Sequence, residues 1–60
     1  MKFLEFTDIN EHTRMIPIAE IHYLSKYNNY VEIKMKESFY SNLSYKISLD
    51  EYEKIKKNIL

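Results

Sequence analysis

Apolar and polar residues alternate through much of the chain up to residue 47 and then recur at a three-to-four spacing, a pattern that predicts several strands followed by one helix. Residues 2–7 read as a first strand with Leu4 and Phe6 on one face. Asp8 and Asn10 then open a turn that runs to His12, because Asp and Asn side chains bond their own backbone and tolerate left-handed conformations. A second strand over residues 13–18 carries Pro17 near its end. Proline lacks the ladder donor, so this strand is expected to stop there or to lie at an edge. Met15 is assigned to the face of Leu4 and Phe6, and Phe3, Ile16 and Ile18 to the opposite one.

Residues 21–26 and 30–36 flank Asn28 and Asn29, a pair suited to a type I′ turn in which both central residues take positive φ. A two-residue loop sets Lys26 opposite Val31, Leu24 opposite Ile33 and His22 opposite Met35 on one face, with Tyr23 opposite Lys34 and Ser25 opposite Glu32 on the other. A slip of one residue would bring Leu24 against a charge, which specifies the register. A last strand over residues 39–47 puts Phe39, Leu43, Tyr45 and Ile47 on one side. Joining it to its neighbour through a three-residue loop at Lys36, Glu37 and Ser38 places Tyr40 beside Lys34 and Asn42 beside Glu32.

Ser48 and Glu51 have capping-box spacing at the start of a helix over residues 49–60. Leu49, Tyr52, Ile55, Ile59 and Leu60 form its apolar stripe. The acids Asp50, Glu51 and Glu53 precede Lys54, Lys56 and Lys57, as the helix dipole favours, and Glu53 is in position to pair with Lys57. A helix this short is marginal alone in water and needs to dock on the sheet. The expected fold is therefore α+β, one domain over residues 1–60: a small antiparallel β-meander of four to five strands closed by one C-terminal amphipathic helix. Apolar residues on both faces of the first two strands need two coverings, and one helix supplies one. A homo-oligomer is expected on that ground.

Composition narrows the function classes. The chain has 60 residues, no cysteine, no glycine, one proline and no net charge. Disulfides are excluded and a reducing cytoplasm is suggested. The first residues carry Glu5 inside the apolar stretch and no small-residue cleavage site, so a signal peptide is not expected, and no run is long enough for a membrane helix. Balanced charge argues against a nucleic-acid partner. Ile, Lys, Asn and Tyr make up nearly half of the residues, and their AT-rich codons suggest a low-GC bacterium or its phage.

Catalytic chemistry finds little support. His12 and His22 lack zinc-site spacing, and Ser25, Ser38, Ser41, Ser44 and Ser48 lie in no nucleophile elbow. Without glycine the chain builds no phosphate loop that depends on close backbone approach. No catalytic residue, metal or cofactor is expected. The candidate surface is the outward sheet face, where Tyr23, Lys34 and Tyr40 are expected side by side, Ser25, Glu32 and Asn42 form the next row, and Tyr30 and Ser44 lie near the end. Tyrosine offers flat apolar area with a polar tip, and lysine adds charge.

Parts of this sequence resemble two families. Phe3-Leu4-Glu5-Phe6-Thr7-Asp8-Ile9-Asn10 resembles the opening of the small FlbD-like proteins of flagellar operons and phage genomes, although the glycines usual after the turn asparagines are missing. The succession Ile18-Ala19-Glu20-Ile21, Asn29-Tyr30-Val31 and Leu49-Asp50-Glu51 is similar to the first half of LytTR DNA-binding domains. The DNA-reading half of that family would begin where this sequence ends, so the likeness does not imply DNA binding. The expected function is that of a non-enzymatic cytoplasmic binding protein, encoded by a phage or mobile element, that inhibits or sequesters a host component as a homo-oligomer. A nucleotide-sequestering protein with ligand between subunits and a LytTR-like regulator are the alternatives.

Overall fold

The computed structural model describes residues 2–36 and 43–59. Two antiparallel sheets and one helix make up the fold. β1 (Phe3–Thr7) pairs with β2 (Thr13–Pro17) in the first sheet. A 3-10 turn at Ile18–Glu20 leads into the second sheet, in which β4 (Tyr30–Met35) lies between β3 (Ile21–Lys26) and β5 (Ser44–Ser48). Helix α1 (Leu49–Ile59) follows β5 directly. This is the expected small α+β architecture, with the strands divided between two sheets.

Leu4, Phe6 and Ile16 from the first sheet, Val31, Ile33, Met35 and Ile47 from the second, and Ile55 from α1 form one buried cluster. The facing of β2 is the reverse of the one expected. Leu4 stands opposite Ile16, and cross-strand partners share a face, so Ile16 is buried while Met15 is 63% exposed. Ile18 also packs against the cluster. The second apolar face on which the expected homo-oligomer rested therefore reduces to Phe3 and Met15, with Pro17 half-buried beside them. The two sheets cover one another's apolar sides.

The β3–β4 hairpin keeps the expected pairs Lys26 with Val31, Leu24 with Ile33, Ser25 with Glu32 and Tyr23 with Lys34. Its far end departs. The register shifts between Ile21 and Tyr23, so Ile21 and not His22 stands opposite Met35. A bulge adds one residue to a strand and turns the next side chain over; here it takes the apolar Ile21 toward the core and leaves the imidazole of His22 exposed. The turn at Asn28 and Asn29 is not type I′, since the one positive φ among the described residues belongs to Glu11, at 65°. The hairpin closes instead on a hydrogen bond from the Tyr27 amide to the Tyr30 carbonyl, 2.8 Å.

The register of β5 also differs. Lys34 pairs with Ser44, Glu32 with Lys46 and Tyr30 with Ser48, four residues further along than a three-residue loop would set them. Leu43, Tyr45 and Ile47 keep the inward side, because a shift by an even number leaves every side chain on the same face. Phe39 and the expected loop residues Glu37 and Ser38 lie outside the described residues.

The helix forms as its sequence dictates, with changed partners. The Ser48 hydroxyl accepts the Glu51 amide at 3.1 Å, the first half of a capping box. The Glu51 carboxylate does not turn back on the cap and accepts the Thr7 amide of β1 at 3.0 Å, tying the helix to the first sheet. Glu53 pairs with Lys56 at 2.7 Å rather than with Lys57. Leu49, Tyr52 and Ile59 pack against the core around Ile55. Ser48→Ala is expected to lower unfolding stability by about 1 kcal/mol, the usual worth of an N-cap hydroxyl, as a thermal or urea melt would measure.

Candidate functional site

The face of the β3–β4–β5 sheet turned away from the core carries Tyr23, Ser25, Tyr30, Glu32, Lys34, Ser44 and Lys46. Pairing sets them in rows: Tyr23, Lys34 and Ser44; then Ser25, Glu32 and Lys46; then Tyr30 and Ser48. Helix α1 packs on the opposite, apolar face. Tyr23 is 49% exposed, and Tyr30, Glu32 and Lys34 are half-buried among their neighbours. Ser44 occupies the position beside Lys34 that was assigned to Tyr40, and Lys46 the position beside Glu32 assigned to Asn42; Tyr40 and Asn42 lie outside the described residues.

Two side chains join this face that the pattern alone did not single out. Tyr27, 48% exposed, stacks on Tyr30 with ring centroids 4.8 Å apart and planes 22° from parallel. The Lys46 ammonium lies 5.5 Å from the Tyr30 ring centroid, close enough for a cation–π attraction. At the other end the His22 ring lies 4.9 Å from that of Tyr23. The signal available for Tyr27 was its position next to the hairpin turn, where the two flanking residues face each other across the closing hydrogen bond. Lys46 depended on the register of β5, which the pattern placed four residues away.

A second cluster forms where the turn at residues 8–12 meets β5. Asp8 is 8% exposed and is the one buried charged residue among those described. One carboxylate oxygen accepts the amides of Asn10 at 3.0 Å and His12 at 2.9 Å, and the other accepts Nε of Arg14 at 2.9 Å. The His12 amide bond, followed by the Arg14 and Asn10 bonds and the Arg14 charge, holds the Asp8 carboxyl below its ordinary value of 3.8, against the opposing effect of burial. This is an Asx-type turn closed by an ion pair, and it supports Glu11 in its left-handed conformation. Arg14 also places Nη2 3.3 Å from Nδ1 of His12 and its guanidinium 5.4 Å from the Tyr45 ring centroid, while Tyr45 meets Phe6 edge-on at 5.5 Å. Asp8 makes three hydrogen bonds with N–H donors, so it is engaged as a brace and is not poised as a base.

A cleft of about 470 Å³ opens beside this brace, lined by Asp8, Ile9, Asn10 and Arg14 on one wall and residues 43–46 on the other. Among the described residues no cluster of His, Asp and Glu has the makings of a metal site, and no helix is long and apolar enough to cross a membrane. The architecture defines the chain as a small α+β domain with a tyrosine-bearing sheet face on the side away from the helix. No family model, curated protein or solved structure matches it.

Proposed function

We propose that the protein is a non-enzymatic binding module that inhibits or sequesters a protein partner through the outward face of its three-stranded sheet. The observation that carries this reading is the grouping of Tyr23, Tyr27 and Tyr30 with Lys34 and Lys46 on a face that α1 leaves uncovered. Rigid aromatic side chains bury large area at small entropic cost and dominate binding energies where they cluster. The rest of the sheet's chemistry supports the same role: serines and Glu32 between the aromatics give a polar setting that fixes orientation. A minimal chain rich in AT-encoded residues fits a phage or mobile element acting on a host component.

The test replaces Tyr23 and Tyr30 by threonine, which suits strands, and Lys34 by glutamate. The triple variant is expected to keep its circular dichroism and melt near the parent while losing about a hundredfold or more in affinity for the proteins that the parent retains, since each anchor is worth about 2 kcal/mol or more. Equal retention of the same proteins by parent and variant would refute the proposal.

One feature favours a nucleotide as a second reading. The near-parallel Tyr27 and Tyr30 rings beside Lys46 combine a stacking surface with a cation, the pairing a base and its phosphate require. A panel of nucleotides that raises the melting temperature of the parent and not of a Tyr27→Thr variant would select this reading over the protein partner.

A further inference from the structure

We infer that the outer edge of β5, with the cleft beside the β1–β2 turn, is a strand-addition site for an extended peptide of another protein that carries a carboxylate. The site uses the backbone edge of Ser44 and Lys46, whose side chains belong to the tyrosine face.

The hydrogen-bonding parity of β5 sets up the edge. The Met35 amide donates to the Leu43 carbonyl at 3.1 Å. Bonded pairs in an antiparallel ladder alternate, so the Leu43 carbonyl and the amides and carbonyls of Tyr45 and Ile47 face β4 while Ser44 and Lys46 turn theirs outward. The edge already receives one foreign backbone group: the Ile9 amide donates to the Lys46 carbonyl at 3.0 Å. The Ser44 amide and carbonyl and the Lys46 amide have no backbone partner among the described residues.

The cleft runs along this open stretch. Its volume of about 470 Å³ falls within the usual range for ligand clefts and suits a few residues of extended chain. A strand entering it exchanges main-chain hydrogen bonds with Ser44 and Lys46, the mode by which many domains bind extended peptides. Ile9, 53% exposed, and the half-buried Leu43 offer apolar contact at the walls.

Charge selects the carboxylate. Arg14 spends Nε on Asp8 and approaches His12 through Nη2, and Nη1 at the cleft wall has no partner among the described residues. The Tyr45 ring lies beside the guanidinium, and a planar fork so placed matches a carboxylate. Asp8 is already satisfied by three donors, so the donor that an incoming acid meets at this wall is Nη1 of Arg14. The occupant is not a second copy of this chain. Among the described residues β2 and β3, which end their sheets, contain no acid, and β1, which holds Glu5, is tied at Thr7 by Glu51.

The test is selection of random displayed heptapeptides on the full chain, followed by measurement of the winners. Enrichment of Asp or Glu among β-branched residues is expected, with amide shifts at Ser44 and Lys46 on titration. Ser44→Pro removes an amide that the β4 ladder does not use, a position where an edge strand accepts proline, and is expected to weaken binding about tenfold or more. Methylating alternate backbone nitrogens of the selected peptide is expected to do the same with the protein untouched. Selection without acid enrichment, shifts confined to Tyr23, Tyr27 and Tyr30, or undiminished binding by the N-methylated peptide would overturn the inference.

Discussion

Truncating Ile16 to alanine is expected to cost about 2–5 kcal/mol, whereas truncating its neighbour Met15 is expected to change stability by no more than about 0.5 kcal/mol. Ile16 is 3% exposed and stands opposite Leu4 in a cluster shared by both sheets and the helix. Removing its outer carbons loses their transfer energy and leaves a cavity that the surrounding residues fill only in part. Met15 points to solvent from the other face of the same strand. A chain of 60 residues has a total stability of about 3–9 kcal/mol, so the Ile16 variant approaches the limit of folding. At roughly 4–8 °C per kcal/mol its melting temperature is expected to fall by about 10–30 °C. Melts of the two single variants decide the matter: a larger loss for Met15→Ala would mean that β2 presents its other side to the core.

Asp8→Asn is expected to lower the melting temperature at neutral pH by about 10 °C and to flatten the acid limb of the stability profile. Asparagine keeps an oxygen for the Asn10 and His12 amides, but its amide nitrogen then opposes Nε of Arg14, donor against donor. The pH dependence follows from linkage. The Asp8 carboxyl titrates below its ordinary value of 3.8 in the folded chain, so the unfolded chain binds the proton first. Its contribution is complete above that value and disappears as the pH falls through the lowered one. Parent and variant should therefore converge in stability as the pH drops below about 3.8. A constant gap across that range would show that the carboxylate's charge has no part in bracing the turn.

The two variants probe places of different legibility. The turn at residues 8–12 was readable because an Asx turn is a local bond between a side chain and the backbone two to four residues on. Its closure by Arg14 was not, since that ion pair requires β2 to return antiparallel with Arg14 on the inner side. The outward position of Tyr23, Glu32 and Lys34 was likewise readable from the hairpin's alternation. Their companions on β5 were not: the loop length after Met35 sets which residue lies beside Lys34, and no glycine marks a turn there. Lys46 enters the candidate face for that reason.

By itself the sequence determined the kinds of element and their order. Alternation marked the strands, the Asn28 and Asn29 pair marked a reversal, and Ser48 with Glu51 marked the helix start. Each is a short-range property: period-two patterning, a turn-forming side chain, a hydroxyl within reach of an amide three residues on. Tertiary structure decided which face of β2 is buried, the register of β5 and the bulge at His22. Met15, Ile16 and Ile18 make both faces of β2 apolar, so alternation cannot choose between them. A four-residue slip preserves the side every residue occupies, so the pattern is blind to it. Only the joint packing of Leu4, Phe6, Ile33 and Ile55 in one cluster distinguishes these arrangements, because it alone sums contacts from segments far apart in the chain.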